Sequence, residues 1–315
     1  MTVNRRLFRG GALVLLSALF FACVKVPYTQ RKQFNLLPDG LMRGIGAVSY
    51  TSMLSELAIA RKGANNQAMK GVGNRIAKAA DEDSYDWEFS LIRENETINA
   101  WCLPGGKIAV YTGLLPVVKN EAGLAFVMGH EVGHATAHHG AERLSQQLAV
   151  LGGIGALWLY LDEKTALNNE QRNLLIAALG VGVEVGVLLP FSRAHEKEAD
   201  IIGMMYMAQA GYPPEESVKV WNRMQSASGG GNMPAFLSTH PSHQQRRENL
   251  REWLPMAQKR YTRNALPGNT LAQKWKASDF KSTGSSSNGS QGSGNTNTNQ
   301  GSQNKGNAGV GGPPK

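Results

Sequence analysis

Residues 129–142, GHEVGHATAHHGAE, place four of the chain's seven histidines within ten positions, with Glu131 directly after the first. Imidazoles four residues apart on a helix share one face, so His130 and His134 can aim ring nitrogens at a single ion. Glu131 projects from the adjacent angle, beside the ion rather than toward it, where a carboxylate can take a proton from an activated water. An ion such as zinc needs at least one further protein ligand. A straight helix cannot deliver it, because His130, His134 and His138 would be strung along about 12 Å of axis. The broken-helix solution, HExxHxxGxxH, is absent: Ala137 stands at the glycine and Gly140 at the last histidine. His138 and His139 are therefore expected to be structural or to lie behind the ligands. The further ligand must then come from a second segment of the chain. Gly129 and Gly133, each costing about 1 kcal/mol in a helix interior, leave room beside the ligands.

The candidate for that second segment is SRAHEKEADIIGM, residues 192–204. Glu196 and Asp200 are again four apart and present adjacent carboxylates. One can ligate the ion while the other accepts a hydrogen bond from the far nitrogen of a ligating imidazole, fixing its tautomer. Apolar Ile201, Ile202 and Met204 follow directly, which argues against a solvated face. Glu198 and His195 fall off that face and are expected to contact solvent.

Around these two segments the patterning predicts amphipathic helices over 46–61 and 67–80, a strand within 85–92, and two β segments between Ile98 and Leu115 around the turn Pro104-Gly105-Gly106. The histidine helix starts at Asn120 as cap, with Glu121 in its first turn. The second runs from Arg193 to Ala210 and is closed by Gly211, and a third begins near Pro214. Apolar stretches 148–161 and 174–191 read as core or lid helices, being short for membrane spans. The fold class is α+β, mainly helical, with a small sheet beside the histidine helix.

The two ends differ in character. Arg5, Arg6 and Arg9 precede an apolar run, and Ala22 sits directly before Cys23. Residues 1–22 read as a signal peptide ending in a box similar to that of bacterial lipoproteins, with Cys23 as the lipidated residue and 23–45 as the attachment segment. Residues 278–315 are Gly, Ser, Asn and Gln with almost nothing to bury, and are expected to be disordered. Cys102, the other cysteine, is expected to be a small buried hydrophobe. The formal charge of +9 is scattered without aromatic interleaving, so nucleic-acid binding is not expected.

HEVGH followed by SRxxExEADxxG resembles the M48 family of zinc peptidases, which are gluzincins. The resemblance extends to VPYTQRKQFNLLP (26–38), NAWCLPGGKIAVYTGLL (99–115) and STHPSHQQRRENL (238–250), and to a peptidase domain spanning 46–277. Gln30 departs from a usual glycine in the first of these, and Trp101-Cys102 depart from more common residues in the second. The resemblance implies a gluzincin-type metalloprotease domain and one Zn2+ per chain, held by His130, His134 and Glu196. It implies Glu131 as general base and Asp200 as the partner of His130. His240 is then an oxyanion donor or a gate in zinc's fourth position, with Arg246 as its neighbour.

The expected function is a membrane-tethered zinc metalloendopeptidase. Unfolded or misassembled cell-envelope polypeptides would add as a strand to a sheet edge formed around Ile98–Cys102, at Asn99 and Ala100, or by Lys107–Tyr111. The expected place is a bacterial envelope, lipid-anchored to the outer membrane and facing the periplasm. A catalytically silent chaperone-like or binding lipoprotein on the same fold is the alternative, and the intact HExxH argues against it.

Overall fold

The residues described by the structure, a computed structural model, are 23–149, 192–228, 234–240, 244–264 and Trp275. They open with a hairpin that the patterning did not announce: β1 (Cys23–Lys25) pairs antiparallel with β2 (Lys32–Phe34). Its turn closes through the Val26 N–H to the Arg31 carbonyl at 2.9 Å and the Gln30 N–H to the Val26 carbonyl at 3.0 Å. Tyr28 and Gln30 take φ values of 59° and 58°, the left-handed region where glycine is at ease. That is the physical sense of a glycine at position 30.

Helix α1 (Asp39–Ser55) starts and ends earlier than the expected 46–61. Pro38 in extended conformation precedes it, and Asp39 pairs with Arg43 one turn on, at 2.8 Å. Helix α2 (Ala64–Ala80) follows. Between them, residues 58–60 are drawn onto the edge of β3 (Glu88–Ile92) by hydrogen bonds from Ala60 to Leu91 and from Arg93 to Ala58. That pairing explains why α1 cannot run to Arg61.

β4 (Ala100–Leu103) and β5 (Lys107–Tyr111) form the expected hairpin, turning through Gly105 and Gly106 at φ 87° and 81°. The sheet order is β3-β5-β4: β5 is central, parallel to β3 and antiparallel to β4. Among the described residues β4 is a free edge, whereas β3 is partly covered by residues 58–60.

A short helix α3 (Leu115–Val118) leads to α4 (Glu121–Thr136), whose residues are all buried. Asn120 caps α4 as expected, accepting from the Gly123 N–H at 2.9 Å. Helix α5 is described over 139–149. Then come α6 (Arg193–Gln209), α7 (Glu216–Ala227), α8 (Ala235–Thr239) and α9 (Gln244–Asn264). Ser192 caps α6, and Gly211 ends it in a left-handed turn at φ 87°.

The core lies where α6 crosses α4. Leu124, Phe126, Val127 and Met128 meet Ile201, Ile202, Met204 and Met205, all almost fully buried. Each such side chain contributes about 1.5–3 kcal/mol on burial. The helices touch through backbone: a β-carbon on Gly203 would lie 2.5 Å from the His130 nitrogen, and one on Gly129 would lie 2.8 Å from the Gly203 carbonyl oxygen. The room the glycines leave is thus taken up by the second helix.

The chain divides into units Met1–Phe280 and Lys281–Lys315, and the described residues all belong to the first. The expected signal peptide, the tail and most of the two apolar stretches lie outside the described residues. Among the described residues no helix is long and apolar enough to cross a membrane.

A side chain at the crossing has no space, so Gly203→Ala should destabilise the domain by about 1–3 kcal/mol or more. Calorimetry should show this as a Tm lowered by about 2–4 °C per kcal/mol. An unchanged Tm would show that the crossing can open without cost.

Candidate metal centre

The crossing delivers His130 and His134 from α4 and Glu196 from α6 to one point, and the turn after α8 adds His240. Ligand atoms of these four buried residues lie within 4.8 Å of one another. The two Nε2 atoms of His130 and His134 are 3.1 Å apart, and His130 Nε2 is 3.2 Å from His240 Nδ1. Glu196 Oε1 is 3.3 Å from His134 Nε2 and 3.0 Å from His240 Nδ1. Tetrahedral ligands at bond lengths of about 2.0–2.1 Å sit about 3.4 Å from each other, so the set has the spacing of a shell around one ion.

The hydrogen-bond partners behind the rings supply the chemical reason. His130 Nδ1 faces Asp200 Oδ1 at 3.1 Å. A carboxylate only accepts, so Nδ1 carries the proton and the Nε2 lone pair points into the cluster. His134 Nδ1 faces His139 Nδ1 at 3.0 Å, and His139 Nε2 faces Glu198 Oε2 at 3.1 Å. By the same reasoning His139 donates to Glu198 and accepts from His134, leaving the His134 Nε2 lone pair for the cluster. Burial holds His139 neutral, its pKa lowered to about 4 despite Glu198. Two lone pairs and an ionised carboxylate aimed at one buried spot fit a cation of the kind nitrogen and oxygen donors hold.

Arg246 from α9 balances the carboxylates. It donates to Glu196 through Nη1 and to both oxygens of Asp200 at 2.6 and 2.8 Å, with its guanidinium 3.8 Å over the Trp221 ring. Trp221 also donates to Asp200 at 3.1 Å. Burial alone would raise the pKa of Glu196, but Arg246, His134 and His240 outweigh it and hold the carboxyl well below the usual range. Asp200 is lowered in the same way by Arg246 and His130 against its burial. Asp200 thus lies within hydrogen-bond distance of the far nitrogen of His130. Arg246, expected only as a neighbour of His240, proves to be an ion-pair partner of both acids.

Glu131 is buried beside the cluster. Desolvation raises its pKa, with the His240 and His130 rings pulling the other way. Its Oε1 makes no hydrogen bond, and the His240 Nε2 lies 3.4 Å away. A buried carboxylate oxygen beside the cluster, facing that ring nitrogen, is placed to receive a proton.

The expectations for Glu198 and His195 need correction: both are buried, at 5% exposure. Helix α4 ends at Thr136, and His138 takes φ 52° without a glycine, so the chain turns and α5 sets off beside α6. The sequences HGAE (139–142) and HEKE (195–198) then face each other as two His-x-x-Glu pairs. His139 bonds Glu198, His195 bonds Glu142 at 2.9 Å, and the two rings stack 4.4 Å apart at 18°. The repeated pattern was legible in the sequence, but nothing local indicated that the pairs would meet. His138 stays outside this set, 3.5 Å from Asp39.

Asn99 and Ala100 stand at the start of edge strand β4, which packs on α4. The Tyr111 N–H donates to the Asn99 carbonyl at 3.0 Å. The alternation of an antiparallel pair therefore turns the backbone groups of Ala100 and Cys102 away from β5. The Asn99 side chain accepts from the Ala100 N–H at 2.9 Å, and the Ile98 carbonyl accepts from the Phe236 N–H at 3.0 Å. Cys102 is a partly buried free thiol, and Cys23 opens β1.

The profile described as Peptidase family M48 matches residues 63–254. The mitochondrial metalloendopeptidase OMA1 of Schizosaccharomyces pombe is 35% identical over 256 residues, covering 80% of this chain and 71% of that protein. The human mitochondrial metalloendopeptidase OMA1 is 29% identical over 257 residues, covering 78% of this chain and 49% of that protein. The beta-barrel assembly-enhancing protease of Yersinia pestis is 28% identical over 178 residues, covering 56% of this chain and 36% of that protein. This chain thus spans less than two thirds of the human and bacterial relatives. These similarities overturn the expected placement at a bacterial outer membrane, because the relatives of greater identity and coverage are mitochondrial proteins, from fission yeast to human. The matched segment begins just ahead of α2, ends in α9 and encloses the whole ligand cluster: this chain belongs to peptidase family M48, the metallopeptidases.

Proposed function

We propose that the chain is a zinc-dependent endopeptidase acting on extended segments of unfolded or misassembled polypeptides, with one Zn2+ held by His130, His134 and Glu196. The observation that carries this reading is the set of buried donor atoms at tetrahedral spacing, with the buried Glu131 carboxylate beside it. When bound, the ion supplies Lewis acidity, lowering the pKa of a water and polarising the scissile carbonyl. Glu131 takes the proton of the attacking water and passes it to the leaving nitrogen. Asp200 and His139 hold the two imidazoles in the tautomer that binds, and Arg246 keeps the carboxylates ionised.

Substrate is received along β4. The outward-facing groups of Ala100 and Cys102 offer main-chain pairing to an added strand. The Asn99 amide holds the Ala100 N–H until a substrate carbonyl replaces it. Such pairing reads few side chains, which suits unfolded clients. His240 has its Nδ1 among the ligand atoms and its Nε2 toward Glu131, and this position supports a gate in the fourth site that substrate displaces. The other role, donation to the developing oxyanion, requires the ring to swing off the cluster.

The N-terminal segment is the proposed attachment to a membrane, with Cys23 as acyl acceptor. Cys23→Ser should then remove the mass of the lipid and release the chain from membranes on fractionation. Unchanged mass and unchanged fractionation would rule this attachment out.

Glu131→Gln should retain about one zinc per chain and lower kcat on an unstructured polypeptide by about 10²–10⁴-fold. Glu196→Ala should lose the metal. Cleavage by Glu131→Gln at the parent rate would refute the base assignment. A parent that binds unfolded polypeptide without cutting it would favour a silent binding protein.

His240→Ala should raise proteolysis if the ring is a gate. A fall in kcat of about 10²-fold or more with zinc retained would instead identify an oxyanion donor. Unchanged kinetics with unchanged zinc affinity would eliminate both roles.

A further inference from the structure

The two ligand histidines are held from behind in different ways. His130 rests directly on Asp200, which Arg246 clamps from α9. His134 rests on His139, whose other nitrogen rests on Glu198. Glu198 is in turn fixed by a side chain from the far end of the chain. Arg31 donates through Nε to both Glu198 oxygens, at 2.9 and 3.0 Å, and the Thr29 hydroxyl donates to Oε1 at 2.9 Å.

Arg31 also closes the second His-x-x-Glu pair. Its Nη1 and Nη2 reach the two oxygens of Glu142 at 2.8 and 2.7 Å. Glu142 binds His195, and His195 stacks on the ring of His139. His139, itself fully buried, is thereby held at one edge by a carboxylate and on one face by an imidazole. One guanidinium fixes both supports, and its planar fork is suited to two carboxylates at once. The half-buried Arg31 is the cation that links Glu142 and Glu198.

Both Thr29 and Arg31 sit in the tight turn of the β1–β2 hairpin, which lies ahead of the segment matched to the family. Two further contacts seat the hairpin: Val26 is fully buried, and the Leu36 N–H donates to Ser145 Oγ on α5 at 2.8 Å. We infer that Arg31 is a positioning residue for His134, and that the N-terminal hairpin is thereby a working part of the metal centre. The chain of contacts runs Arg31 to Glu198 to His139 to His134 and ends on the ring nitrogen facing the ion site. This rests on the reading of His134 as a ligand.

The test uses the full chain with Arg31→Gln, Arg31→Lys, His134→Ala and Arg75→Gln. The last breaks a comparable half-buried contact, to Glu121 and Tyr212, away from the site. Zinc affinity is read by chelator competition, ligand geometry by the visible spectrum of the Co2+-substituted protein, and stability by Tm. Arg31→Gln should weaken zinc binding by about 10–100-fold and alter the Co2+ spectrum. Its kcat should fall with KM within about two-fold. Arg31→Lys, which keeps the charge but not the fork, should lie between Arg31→Gln and the parent. Arg75→Gln should lower Tm while leaving affinity and spectrum as in the parent.

A lowered Tm with parent affinity and spectrum in Arg31→Gln would reduce Arg31 to a staple of the hairpin and overturn the inference. Should Arg31→Gln fail to fold, parent affinity and spectrum in Arg31→Lys would overturn it equally. Parent affinity in His134→Ala would instead remove the ligand reading itself, independently of Arg31.

Discussion

The backbone contact between α4 and α6 at Gly129 and Gly203 is the constraint from which the site follows. Imidazoles on one helix and carboxylates on another share an ion only at a defined separation of the helices, and here that separation is one of backbone contact. With a β-carbon at position 203 only 2.5 Å from the His130 nitrogen, the glycines set this separation. The ligand spacing is a consequence of the crossing, and the apolar side chains on both flanks hold the crossing shut.

Charge is the second organising quantity. Glu131, Glu196, Asp200, Glu198 and Glu142 are all buried in one region, and buried carboxylates are costly unless paired and hydrogen-bonded. Arg246 and Arg31 meet that cost from opposite ends of the chain, each by clasping two acids. Glu142 and Glu198 are both lowered to about 2, because Arg31 and their histidines outweigh their burial. Glu131 lacks an arginine partner and is raised. The one acid placed to accept a proton is the one that no arginine clasps; it faces the His240 ring at 3.4 Å instead.

The sheet and His240 belong to the same geometry. The hydrogen bond from Phe236 to the Ile98 carbonyl ties α8 to the residues just ahead of β4, so the segment bearing His240 begins near where the free edge begins. A strand laid on β4 would run beside α4 and end near that ring. Family M48 membership and this arrangement bear on one chemistry, the hydrolysis of peptide bonds.

The residues alone specified the motif helix, its Asn120 cap, the carboxylate pair Glu196 and Asp200, the β4–β5 hairpin and the breaks at Gly105, Gly106 and Gly211, because periodicity, caps and turns are local physics. The family resemblance added the assignment of Glu196 as ligand and pointed to His240. Only the folded chain decided the rest. The partnership of His139 with Glu198, the burial of His195, the reach of Arg246 to two acids and the seating of Arg31 join residues up to 167 positions apart. Glu198 and His195 looked solvent-facing because helical spacing reports which residues share a side, not what will cover that side. What covers it here is α5 and the N-terminal hairpin. Their placement depends on a left-handed turn at His138 and another at Gln30, conformations that neither side chain favours and that packing imposes.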